Sequence, residues 1–111
     1  MLDAIAARIE RYMDLLTARQ KLTASNIANA DTPGYKTRDI DFQSEIRSSL
    51  AAAPETVEVP GLKIKNDGNN VSVDRESRLL AENALRFHVA TGLMHSQIRT
   101  LRSAITEAIS A

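Results

Sequence analysis

Cysteine is absent from the chain, which excludes disulfide staples, thiolate metal sites and thiol nucleophiles together and leaves the redox compartment open. Aromatic residues are scarce: Tyr12, Tyr35, Phe42 and Phe87 are all there are, and 16 of the 48 hydrophobic positions are alanine. Little apolar area can be buried per residue, a composition that suits helices packed closely side by side. Net charge is also absent, since 14 Lys and Arg balance 14 Asp and Glu, so no overall field steers the chain to nucleic acid or an anionic membrane. No apolar run approaches the ~18 residues of a membrane span. Asp3, Arg8, Glu10, Arg11 and Asp14 break up the start of the chain, so no secretory signal is expected. At 111 residues there is room for one domain.

What is present is helical periodicity at both ends. Leu2, Ile5, Ile9, Tyr12 and Leu16 step by three and four and share one stripe. The spacing predicts a helix of about 28 residues, stopped between Asn29 and Pro33, where Pro33 forces Thr32 out of helical geometry. The C-terminal pattern is longer. Val73, Ser77, Leu80, Ala84, Phe87, Thr91, Met94, Ile98, Leu101, Ile105 and Ala108 keep a four-three alternation, the seam of a coiled coil. Asp74 is the expected N-cap and Gly92 the weak residue inside. A helix from Asp74 to Ala111 is roughly 57 Å long, whereas a compact globule of this size has a radius of gyration of about 13 Å. A rod is expected, its long seam only partly covered by the shorter N-terminal helix.

Between them, residues 43–52 extend a short helix through Ile46 and Leu50, and 51–60, with two prolines and no period, reads as loop. Leu62 and Ile64, then Val71 and Val73, alternate around Asn66-Asp67-Gly68-Asn69-Asn70, which predicts a hairpin at 62–73. The expected fold is therefore mainly α: long N- and C-terminal helices packing as an antiparallel coiled-coil-like pair, with a small middle region of loop and short β-hairpin. Its parts are 1–31, 32–73 and 74–111 within a single domain.

Candidate chemistry is sparse. His88 and His95 are seven apart, about 10 Å along a helix, too far for one metal ion. Asp39 and Asp41 beside Arg38 lack a histidine or an apolar pocket to tune them. Neither a P-loop, a GxGxxG nor an HExxH occurs. Arg75, Arg78, Arg86, Arg99 and Arg102 outnumber the acids of the last helix by only one, with no interleaved aromatics. No catalytic, metal, cofactor or nucleic-acid site is assigned.

The distinctive stretch is Ala24 to Lys36. Continued past Leu16, the first stripe reaches Arg19, Thr23, Asn26 and Ala30, so an apolar line turns polar. Buried amides need partners. Asn26 and Asn29, on adjacent turns, are placed to bond across a packed helix and fix its register. Pro33-Gly34 suits a type II turn, and Tyr35 either packs on the helix end or anchors a neighbouring subunit.

The order Ser25-Asn26-x-x-Asn29-x-x-Thr32-Pro33-Gly34-Tyr35 closely resembles the N-terminal motif of the axial proteins of the bacterial flagellum. Arg38-Asp39-Ile40-Asp41-Phe42, and Asp67 to Val71 leading through Asp74-Arg75-Glu76 to Leu80-Ala81-Glu82-Asn83, extend the likeness to the proximal-rod members of that family. The resemblance implies a structural subunit of the basal body rod, exported by the flagellar type III apparatus without a cleaved signal and placed in the periplasm. It implies helices that pack into a stiff, hollow, torque-transmitting shaft with copies of itself and with FliE, FlgC, FlgF and the rod cap FlgJ. On that reading Leu2, Ile5, Ile9, Tyr12 and Leu16 face Leu80, Phe87, Met94, Ile98, Leu101 and Ile105 across the assembly seams. The alternative is a small helical adaptor or export chaperone in a coiled-coil complex, which would form a defined dimer in solution.

Overall fold

The computed structural model describes residues 2–48 and 53–110, with side chains from Ala4 onward. In chain order the elements are α1 (Leu2–Ala28), β1 (Arg38–Ile40), α2 (Phe42–Ser48), β2 (Thr56–Glu58) and α3 (Val73–Ser110). The two long helices pack antiparallel: Asn26 meets Glu76 at one level, and Asn83 meets Leu16 and Gln20 further down. The molecule is a rod of 71 × 24 × 17 Å with a radius of gyration of 18.5 Å, as a 38-residue helix requires.

The residues that face α1 from α3 recur every seven positions, with Glu76, Asn83 and Ala90 buried and Gln97 half-buried. This row only partly coincides with the apolar alternation of the sequence. Leu80 and Met94 are half-buried beside it, while Val73, Phe87, Ile98, Leu101 and Ile105 are exposed. A seven-residue repeat drifts about 20° per heptad around a straight helix. The row that faces α1 repeats every seven residues as well, so the two rows drift together, the apolar stripe stays offset from the α1 side, and its far end at Ile98, Leu101 and Ile105 is left exposed.

Several local expectations are corrected. The first turn of α3 is capped by Ser72, whose Oγ accepts from Arg75 N at 3.2 Å and whose carbonyl accepts from Glu76 N at 3.0 Å. Asp74 lies inside the helix, exposed, in an ion pair with Arg78 at 3.3 Å. The short helix is Phe42–Ser48, with Asp41 Oδ1 accepting from Ser44 N at 3.3 Å as an N-cap does; Leu50 and the rest of 49–52 lie outside the described residues. The hairpin strands are β1 and β2, paired Arg38 with Glu58, Asp39 with Val57 and Ile40 with Thr56, so part of the expected 51–60 loop is strand.

Residues 62–73 form no hairpin. The Asp-Gly turn does close, with Gly68 at φ +86° and its N–H on the Lys65 carbonyl at 2.9 Å. The following segment pairs elsewhere: Asn70 N donates to the Tyr35 carbonyl and Thr37 N to Asn70 Oδ1. Beyond the cross-turn bond from Lys65 N to the Asn69 carbonyl at 2.8 Å, the chain after the turn lies against the motif after α1 rather than on Leu62 and Ile64.

α2 is held on α1 by side chains of different kinds. Phe42 meets Tyr12 edge-on at 5.5 Å between ring centres, Arg19 sits 5.6 Å over the Phe42 ring, and Arg11 pairs with Glu45 at 3.2 Å. Among the described residues no helix is long and apolar enough to cross a membrane.

Candidate assembly site at the helix junction

Where α1 ends, the chain must turn, satisfy the helix's last carbonyls and start a strand within ten residues. The motif does all three. Thr32-Pro33-Gly34-Tyr35 is a tight turn closed by Tyr35 N on the Thr32 carbonyl at 3.2 Å, with Gly34 at φ +77°, the positive φ that a type II turn demands of its third residue. Asn29 stays local: its Nδ2 donates to the Ser25 carbonyl at 2.8 Å and its Oδ1 accepts from Thr32 Oγ1 at 3.0 Å. α1 has no basic residue in its last turn. Lys65 reaches in from the later loop to the Ala30 carbonyl at 3.1 Å, supplying the cation that a helix C-terminus favours. Asn69, fully buried, donates to both the Asn29 and Thr32 carbonyls at 2.8 Å while its Oδ1 accepts from Val71 N.

Asn26 is the centre of the junction. Its Oδ1 accepts from Arg38 N at 3.2 Å and its Nδ2 donates to the Arg38 carbonyl at 2.8 Å, so the side-chain amide pairs with the outer edge of β1 as a neighbouring strand would. The same Nδ2 donates to Glu76 Oε1 on α3, and the Tyr35 hydroxyl donates to Oδ1 at 3.1 Å. All of the amide's hydrogen-bonding capacity is used.

Glu76, at zero exposure, is a charge that must be compensated. Arg75 Nη1 donates to its Oε2 at 2.7 Å, and Arg75 Nη2 to Asp39 Oδ2 at 3.1 Å. Arg19 clamps the same carboxylate from α1 with two bonds of 3.1 and 2.9 Å, the bidentate geometry that makes such pairs strong. Asp39 therefore ties α1, β1 and α3 together. Its lone appearance in the sequence as half of a carboxylate pair gave no sign of this role, and Asp41 serves as a cap instead.

Eight polar residues are buried among the described residues, against five hydrophobic ones: Leu15, Leu16, Ile40, Val71 and Ala90. The junction is accordingly specified by hydrogen bonds rather than by volume. Of the residues expected at helix seams, Leu16 is buried, Ile9, Tyr12, Leu80 and Met94 are half-buried, and Ile5, Phe87, Ile98, Leu101 and Ile105 are exposed; the side chain of Leu2 lies outside the described residues. Of the motif residues, Asn26 is buried, Asn29 and Tyr35 are half-buried, and Ser25, Thr32, Pro33 and Gly34 are exposed. Tyr35 packs on the end of its own helix. Arg19, Asn69, Asn70, Arg75, Glu76 and Asn83 stand in the sequence on the first stripe, in the Asp-Gly turn or in the stretches that carry the resemblance, and none of them is given a site role there; the run of amides after Gly68 is the signal for two of them. No cluster able to hold a metal ion occurs among the described residues.

The α1 side of this junction and the turn that follows it fall within the region matched by the family model for flagella basal body rod proteins, residues 13–36. Over nearly its whole length the chain is 31% identical to the flagellar basal body rod protein FlgB of Yersinia enterocolitica, an alignment covering 96% of this chain and 99% of that protein. The chain belongs to the FlgB family. The Escherichia coli K12 relative is 29% identical, covering 95% of this chain and 97% of its own length, and the Borreliella burgdorferi relative 26%, covering 82% and 87%. The FlgB family is a family of structural rod proteins, not enzymes, in keeping with a site made of hydrogen bonds that position helices.

Proposed function

We propose that the chain is a structural subunit of the proximal rod of the flagellar basal body. Its terminal helices interlock with those of neighbouring subunits into a hollow, torque-transmitting shaft. The observation that carries this reading is the uncovered apolar row on α3, where Phe87, Ile98, Leu101 and Ile105 stand exposed on a helix whose other end is locked by polar contacts. Burying each such side chain is worth ~1.5 to 3 kcal/mol, less the cost of association. Neighbours of this kind are copies of the chain and the rod components FliE, FlgC and FlgF, with FlgJ as the cap. The site of assembly is periplasmic, reached through the flagellar type III apparatus without cleavage of a signal.

The test is fractionation. A tagged full-length chain is expected in purified basal bodies and to restore motility to a strain lacking its own copy; a chain that is secreted and folded yet absent from basal bodies contradicts the reading. Replacing both Asn26 and Asn29 by Ala is expected to impair assembly more than secretion, and unaltered motility in that double variant removes their assigned role.

A further inference from the structure

α3 carries a second apolar row that the four-three alternation does not contain. Leu85, Val89 and Leu93 are spaced by four and are 65%, 55% and 52% exposed. At 100° per residue Val89 lies roughly 140° to 160° around the helix from Ala84 and Phe87. Those two residues line the opposite flank, where α3 and α1 leave an apolar groove of about 460 Å³ floored by Leu16 and edged by Thr17 and Lys21. Ridge and groove sit at nearly the same height on the rod, since Val89 is only two to five residues beyond Phe87 and Ala84, ~3 to 8 Å along the axis.

Charge is matched as well. Glu82 stands one turn before Leu85 on the ridge flank, its side chain 49% exposed in a surface pair with Arg86. Lys21 edges the groove and has no carboxylate partner among the described residues.

We propose that two copies of this chain pack side by side and parallel, the Leu85–Val89–Leu93 ridge of one seated in the α1–α3 groove of the next, with Glu82 approaching Lys21. This deepens the rod-subunit reading and rests on it for its setting. Because ridge and groove are different surfaces, the contact is heterologous; repeated, it builds a ring or a helix of subunits rather than a closed pair. It also leaves the Ile98–Leu101–Ile105 row free for other neighbours.

The absence of native cysteine makes the test direct. Thr17→Cys and Val89→Cys are prepared as separate full-length chains, both at exposed positions, mixed over a rising concentration series and oxidised. The expected product is the mixed dimer, about tenfold more abundant than either self-linked pair, as a preference for one partner surface over another dictates. Dominance of Val89 self-linkage, the signature of a ridge-to-ridge dyad, overturns the proposal, and so does failure to form the mixed dimer at any concentration.

In a second measurement Lys21→Glu is expected to reduce mixed-dimer yield severalfold, and Glu82→Lys in the partner chain to restore it. No restoration counts against the stated register. Basal body fractionation separates the two readings. A chain present in basal bodies without the mixed dimer sinks the ridge-and-groove contact alone; a mixed dimer from a chain missing from basal bodies sinks the rod reading and leaves the contact standing.

Discussion

At one end of the rod, α3 meets α1 through Glu76 and Asn83, both buried, and the surrounding loops spend their side-chain amides on backbone groups of other segments. Eighteen and more residues beyond Asn83 on the same helix, Leu101, Ile105 and Ile109 are exposed. The usual placement is inverted, with polar groups inside the fold and apolar groups outside it. The difference follows from what each region must accomplish. A polar network holds only when each member finds its partner, so it specifies one geometry. Apolar burial is non-directional and suits surfaces that have to be covered by another chain.

The largest expected effect is at the junction. Asn26→Ala leaves Arg38 N–H, Arg38 C=O, the Tyr35 hydroxyl and the Glu76 carboxylate without a shared partner, and should cost about 3 kcal/mol or more, read by chemical denaturation of the full chain. A loss under ~1 kcal/mol would mean that water replaces the amide and that the junction is less closed than described.

The contrast between the ends was partly legible in the sequence. The two long helices, the stop before Pro33 and the Thr32–Tyr35 turn follow from local rules: three-four spacing, proline's restriction on its predecessor and glycine's freedom at positive φ. The polar turn taken by the first stripe at Thr23 and Asn26 marked where the core changes character. What that stripe bonds to depends on pairings across 50 residues, which no local period encodes. The same limit explains the misplaced hairpin. Alternation at Leu62–Ile64 and Val71–Val73 satisfies the strand pattern, but Asn70 on the Tyr35–Thr37 segment is a tertiary fact that overrides it. The Leu85–Val89–Leu93 row is spaced by four alone, so the four-three alternation of the other apolar row does not contain it.

Smaller effects sharpen the comparison. Gly68→Ala places a side chain at φ +86° and its Cβ 3.4 Å from Gly34 Cα, where backbone meets backbone; a cost of about 1 to 2 kcal/mol is expected from that strain, measured as a lowered midpoint of thermal unfolding. Asn29→Ala removes only contacts local to the helix end and should cost about 0.5 to 1 kcal/mol. Its gap from Asn26→Ala measures how much of the motif acts at long range. Leu101→Ser, on the open end, should change the stability of the free chain by no more than about 0.5 kcal/mol while sharply reducing incorporation into basal bodies. Equal losses of stability for Leu101 and Asn26 would erase the distinction between the two ends.

Amide hydrogen exchange of the free and the assembled chain, resolved along α3, addresses that distinction most directly. The account predicts that in the free protein the segment from Glu76 to Ala90 exchanges slowly, held by the junction, that Ile98 to Ile109 exchanges fast, and that assembly protects the second segment far more than the first. Uniform slow exchange along the whole of α3 in the free chain, unchanged on assembly, would contradict it.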